Sequence, residues 1–312
     1  MSYKIYLLPY YIRTKQGIKF LNQIEVELSP EERCVVRSIS YEGLKIKSIE
    51  QEGVQGLIQK GIIITEKVPN NRSTKEISEI IFATHSDDTA LSMGGYLLVN
   101  KGSCMEIINV FSNCLKSINL SKYLRTPKGV TFFNNEEEKL YAKIMGTSLK
   151  FLHYPEALQR NYKNPITNKI GDQDKPLVRT LENQINQILI KQKPIQAYFP
   201  LSIGDHIDHI ILYKIGRLML NKGFNILFYE DLPYTKEIQP LELKTQFKEK
   251  TRGLRVIKRI DISEVIQRKI QLASIYKTQY NKQYLSKISD YAFEIGDEKA
   301  IERLWGPNEV RN

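Results

Sequence analysis

Two textures of hydrophobic patterning divide the chain. In the first, short apolar stretches lie close together: "KIYLLPYYIR" from Lys4, then "NQIEVELS", where Ile24, Val26 and Leu28 alternate with polar residues, a period-2 strand signal. Ser29-Pro30-Glu31-Glu32 comes next, with Ser29 suited to an N-cap, Pro30 to a first helical turn and Glu32 to closing a capping box. A second helix is predicted over "SIEQEGVQGLIQKG", stopping at Gly61, with the strand "IIITE" after it. The stretch "VPNNRSTKE", residues 68–76, reads as a linker because Pro, Asn, Ser and Thr crowd it. Residues 1–70 are therefore read as a small α+β module, winged-helix-like or a cap on the larger C-terminal region.

From residue 77 to 312 strand and helix patterns alternate. Continuous apolar runs, "EIIFAT", "MEIINVFS", "LKFLHYP", "IQAYFP" and "NILFYE", predict strands buried on both faces. Amphipathic stretches between them predict helices over Thr89 to Lys101, Asn135 to Ser148, Lys175 to Lys191 and Asp208 to Asn221. This order implies an α/β domain: a Rossmann-like, mostly parallel sheet with helices on both faces. Functional residues of such sheets gather beyond the carboxyl ends of strands.

Two clusters occupy such ends. His85-Ser86-Asp87-Asp88 closes the strand "EIIFAT", and Gly204-Asp205-His206-Ile207-Asp208-His209 comes after "IQAYFP". They hold three of the chain's four histidines. Imidazole and carboxylate are common zinc ligands, and a catalytic zinc keeps three protein ligands and an open position. His85 and Asp88 can bind from one turn and His209 from the facing one. That leaves Asp87 beside a ligand, and His206 three residues before His209 on the same helical face. A carboxylate can activate water, and a second histidine can steady an oxyanion or protonate a leaving amine. A His-x-Asp-Asp before a helix often does no more than cap it. Two histidine clusters at matching strand ends favour the metal reading. Gly94 and Gly95 lie inside the first helix, where they suit close packing rather than a phosphate loop. His153 is expected in the core or at a rim, and Trp305 as a packing anchor.

Composition narrows the class. No run of 18 apolar residues is present, so no membrane span is expected, and the start lacks a signal-peptide pattern. Cys34, Cys104 and Cys114 form neither a disulfide framework nor a C-x-x-C pair, which suits a reducing cytoplasm. The net charge of +11 is interrupted by acids and carries no nucleic-acid motif, so no nucleic-acid partner is expected.

The motifs "HSDDTALSMGG", "GDHIDHIIL" and "FYEDLPY" resemble those of the PIG-L/LmbE-like zinc-dependent N-deacetylases. "EEEKLYAKIMG", "EALQR", "RKIQLASIYKTQY" and "ERLW" are weaker echoes in the same order. The resemblance runs from about residue 77 to the C-terminus. It implies a zinc-dependent hydrolase that removes an N-acetyl group from an amino-sugar or related N-acyl small molecule. It further implies Zn2+, or another divalent metal, on His85, Asp88 and His209, with Asp87 as general base. His206 would steady the tetrahedral intermediate or protonate the amine. Arg160, Glu230 and Asp231 are expected as substrate contacts, with Glu230 and Asp231 at a strand end where they could instead cap the following loop. The chain departs from the family pattern at Ser86, where Pro or Leu is usual, and at Thr89, where Glu or Ala is usual. The alternative is a non-catalytic binding protein on the same fold, with a peptide partner at the N-terminal module.

Overall fold

The buried strands split their side chains between two cores. In the computed structural model, Ile81 and Ala83 enter one core and Ile80 and Phe82 the other, as alternation along a pleated strand requires. The structure describes residues 3–9, 11–13, 18–20, 25–40, 42–67, 77–101, 103–167, 169–280 and 282–308. The expected linker, residues 68–76, lies outside the described residues.

The N-terminal region holds β1 (Tyr3–Leu7), β2 (Tyr11–Arg13), β3 (Ile18–Phe20), β4 (Glu25–Val26), α1 (Pro30–Ser38), β5 (Leu44–Ile46), α2 (Val54–Gln59) and β6 (Ile63–Lys67). β5, β1 and β6 form one antiparallel sheet, and β2, β3 and β4 a second. The capping box forms as expected: Glu32 N donates to Ser29 Oγ, and Ser29 N donates to Glu32 Oε2. The second helix is shorter than its pattern suggests. It begins only after Gly53, whose φ of +83° breaks the helical path and whose missing Cβ admits the Glu31 backbone. β5, only three residues long, escapes the sequence pattern. Tyr6, Leu8 and Ile64 of this region are buried in the same core as β7 (Glu79–Ala83).

β7 opens the larger unit. It continues with α3 (Asp88–Val99), β8 (Met105–Asn109), α4 (Pro127–Met145), β9 (Ser148–Phe151), α5 (Lys175–Gln192), β10 (Gln196–Pro200), α6 (Ile207–Asn221) and β11 (Ile226–Tyr229). α7 (Tyr234–Glu237), α8 (Pro240–Lys250), β12 (Leu254–Asp261), α9 (Ile266–Ala273), α10 (Lys282–Glu294) and β13 (Ile301–Pro307) complete it. The sheet order is β12-β13-β11-β10-β7-β8-β9. The five strands from β11 to β9 are parallel, and β13 and β12 add antiparallel. α3, α4 and α9 cover one face, α5 and α6 the other.

All five expected strands form. β12 and β13 are additions: β12 is an edge strand with mostly exposed polar residues, so it has no continuous apolar run to announce it. α4 starts eight residues before the expected Asn135, because Thr126 caps it by accepting from Gly129 N at 3.1 Å and Pro127 fills its first turn. Gly95 does let α3 pack closely: a Cβ there would lie 2.5 Å from Ile262 Cγ2 and 2.7 Å from Glu302 Oε1. Trp305 lies in β13 against Phe247, with rings 5.8 Å apart, and donates from Nε1 to Glu230.

β8 lies on one side of β7 and β10 on the other. The chain thus reverses direction across the sheet between β7 and β10, which opens a crevice at their carboxyl ends.

Candidate active site

Both histidine clusters meet in that crevice. After β7 the turn 84–87 carries His85 and Asp87, and α3 begins at Asp88. Asp88 Oδ2 accepts from His85 N at 2.7 Å, folding the turn so that both side chains face one point. After β10 the loop 201–206 leads to α6, where His206 is the N-cap and accepts at Nδ1 from Asp208 N at 3.3 Å. His209 lies in the first turn of α6.

One ligand atom each from His85, Asp88 and His209 lies within 4.8 Å of the others. Asp88 Oδ2 is 3.7 Å from His85 Nδ1 and 3.5 Å from His209 Nε2. Each of the two histidines has its other nitrogen tied to a buried carboxylate. His85 Nε2 bonds Asp208 Oδ2 at 3.1 Å, and His209 Nδ1 bonds Asp231 Oδ1 at 2.6 Å. A carboxylate that accepts from one ring nitrogen fixes the proton there and presents the lone pair of the other. Here the presented atoms are His85 Nδ1 and His209 Nε2, and both face Asp88. His209 Nε2 is buried and has no hydrogen-bond partner among the described residues. An unpaired buried nitrogen beside two further donors is the arrangement a divalent cation would satisfy.

His85, His206 and Asp208 also come within 4.8 Å of one another. That set is already satisfied internally. Asp208 Oδ2 accepts from Ala157 N at 2.9 Å as well as from His85, and Arg160 Nη2 lies 2.7 Å from its Oδ1.

The charges result from these partners. Burial opposes a proton on His85, but the bond to Asp208 and the charges of Asp88 and Asp208 raise its pKa to about 9, so the lone pair of Nδ1 becomes available when a cation displaces the second proton. Burial also opposes protonation of His209, and Asp88 and Asp231 outweigh it, moving its pKa up. Burial would raise Asp208, yet His85, His206 and Arg160 hold it well below the usual carboxylate range. Asp87 is pushed up by burial and then by Asp88, while a hydrogen bond from Tyr280 works the other way. Burial and the neighbouring His85 push His206 well below its ordinary value, so it is neutral. Its Nδ1 accepts from backbone, so the proton sits on Nε2.

A cavity of about 210 Å³ opens over this point, with His85, Asp87, Asp88, His206, Tyr234 and Tyr280 among its walls and Lys116, Glu156 and Gln279 further round. Arg160, Glu230 and Asp231, expected at the substrate, do not line it. Arg160 is bound to Asp174, the Pro155 carbonyl and Asp208. Glu230 accepts from Tyr291 and Trp305 and pairs with Arg303. Asp231 spends one oxygen on His209 and the other on Ile203 N. Their side chains hold the site's framework rather than its opening. Ser86 lies at the cavity wall but is buried, and its Oγ accepts from Asn109 Nδ2 at 2.9 Å; Thr89 is fully buried and does not line the cavity. His153 is exposed at the strand ends, with Nδ1 3.4 Å from Ser112 Oγ.

Sequence reasoning gave no role to Asp208, although it lies inside the motif between His206 and His209. Tyr234 and Tyr280 carry no sequence signal beyond their place in short motifs.

No family model matches the chain. Two curated relatives are named 2'-N-acetylparomamine deacetylase. The one from Streptomyces fradiae is 24% identical over 203 residues, spanning 64% of this chain and 72% of the relative. The one from Niallia circulans is 23% identical over 189 residues, spanning 51% and 68%. Among solved structures, the deacetylase of the antimicrobial A40926 pseudoaglycone superposes with a TM-score of 0.56 at 19% identity, covering 75% of this chain and 97% of that one. At that identity the match establishes a shared fold.

Proposed function

Given that this chain resembles the PIG-L/LmbE-like deacetylases in its motifs and in its curated relatives, we propose that it is a metal-dependent hydrolase. It removes the N-acetyl group from an amino sugar or a related N-acyl small molecule of specialised metabolism. The observation that carries this reading is the pair of histidines, each held by a buried carboxylate, whose free nitrogens converge on Asp88.

His85, Asp88 and His209 would hold Zn2+ or a similar divalent ion, which when bound polarises the acyl carbonyl and makes water easier to deprotonate. Asp87 sits next to that point without being needed as a ligand. Tyr280 hydrogen-bonds to it, and the carboxylate takes a proton from the attacking water. The water oxygen then bonds to the acyl carbon. His206 Nε2–H donates to the acyl oxygen as it gains charge. The C–N bond breaks, the proton from Asp87 passes to the departing amine, and the acid leaves as acetate once its remaining proton is lost to water. A neutral His206 can serve as that donor without placing a second positive charge beside the cation.

The test is metal content together with acetate and free-amine release from a panel of N-acetylated amino sugars, starting with 2'-N-acetylparomamine, the compound named for the curated relatives. Release of both products in equal amounts supports the reading. A metal-loaded protein that binds such sugars and releases neither would make the chain a binding protein on a hydrolase fold.

A further inference from the structure

We propose that Tyr234 is a further catalytic residue of this site, its phenolic hydroxyl donating to the acyl oxygen beside His206. The inference rests on the deacetylase reading above.

Tyr234 opens α7, directly after the turn behind β11 that orients His209. Asp231 of that turn accepts from His209 Nδ1, and Thr235 N closes the turn by donating to the Asp231 carbonyl at 3.1 Å. The position of the Tyr234 ring is thereby tied to that of a proposed metal ligand. The ring stands edge-on to His209, with centroids 5.5 Å apart and planes at 81°, and 6.3 Å from His206. It forms a wall of the cavity beside Asp87 and Asp88.

The opposite loop is shaped to leave room for this ring. Gly204 has a φ of +97°, and a Cβ on it would lie 2.6, 2.7 and 2.9 Å from Tyr234 Cβ, Cγ and Cδ1. Such contacts are closer than carbon atoms tolerate, so any side chain at 204 would displace the tyrosine.

The hydroxyl is unused. Among the described residues the Tyr234 hydroxyl makes no hydrogen bond, whereas Tyr280, the other phenol of the cavity, is bonded to Asp87. A phenol set into a protein wall ordinarily finds a partner for its O–H. An O–H facing a reacting group finds that partner in the substrate. The acyl oxygen is the atom that gains charge, and two neutral donors, His206 Nε2–H and the Tyr234 O–H, flank the cavity from adjoining loops. Tyr234 keeps its proton throughout, so the step adds a hydrogen bond and moves no atom.

The test uses Tyr234→Phe in the full, metal-loaded chain. Methylphosphonate is the probe, being tetrahedral and anionic like the hydrated acetyl carbon. The expected result is binding to the parent protein and roughly tenfold or weaker binding to the variant at unchanged metal content. Turnover of an N-acetyl sugar should show kcat down roughly 10- to 100-fold with KM little changed. Equal methylphosphonate affinity in the two proteins would overturn the proposal, as would no binding by the parent. If the parent hydrolyses no N-acetyl sugar while the affinity difference holds, the tyrosine's contact stands and the deacetylase reading falls.

Discussion

His85 and His209 owe their usefulness to residues behind them. Each ring has one nitrogen tied to a buried carboxylate, Asp208 or Asp231, and so presents the other towards Asp88. His85→Ala, Asp88→Ala and His209→Ala should each lose the metal, measured by elemental analysis after gel filtration. Asp87→Asn should keep it, because the amide has the same shape, while turnover falls by roughly 100-fold or more for want of a proton acceptor. Near-normal turnover in a metal-replete Asp87→Asn protein would remove Asp87 from the reaction. Asp231 yields a finer prediction. Asp231→Asn leaves all three proposed ligands in place but weakens the hold on His209, so metal affinity should drop roughly 10- to 100-fold in a chelator competition. An unchanged affinity would mean that packing alone orients His209.

At the scale of elements, α3 must bring Asp88 to the crevice while lying close to β13 and α9. Gly95 N and Tyr96 N both donate to Glu302, and Lys269 Nζ lies 2.7 Å from Glu302 Oε1, so the helix is fastened at mid-length by one buried carboxylate. Gly95→Ala sets two effects against each other. Alanine favours the helix by about 1 kcal/mol. Its Cβ would press on Ile262 and Glu302, and overpacking costs about 1–3 kcal/mol. The contact should win, because both neighbours are buried and one anchors the helix backbone. The variant should unfold at lower urea concentration than the parent, and a midpoint at or above the parent's would show that the interface relaxes freely. Capping also explains where sequence patterning stopped short. Thr126 and Pro127 start α4 well before its apolar face becomes periodic.

For the whole molecule, the question is what residues 1–70 do. Tyr6, Leu8 and Ile64 share a core with β7, Arg268 donates to the Thr65 carbonyl, and Lys101 pairs with Glu66 at 3.2 Å. The region also has its own apolar core around Ile5, Val36, Val54 and Leu57. We expect it to act as a cap on the larger unit. A chain starting near Ser73 should then aggregate in size-exclusion chromatography, because the uncovered face is apolar. A monodisperse, active truncation would instead make the region an independent module. No helix among the described residues is long and apolar enough to cross a membrane.

The sequence by itself determined the strand and helix alternation, the two histidine clusters and their place at strand ends. It could do so because burial on both faces writes continuous apolar runs, and because capping and turn chemistry are local. It showed neither β12 nor β13, since an edge strand bears no such run and β13 pairs antiparallel between it and the parallel strands. It placed Arg160, Glu230 and Asp231 near the site but not their roles. Only the folded chain shows that Asp231 and Asp208 stand behind the histidines, that Arg160 and Glu230 are bound internally, and that Tyr234 fills the space Gly204 leaves open. Those relations join residues far apart in the chain, and they depend on which side chain reaches which atom, a matter decided by packing rather than by pattern.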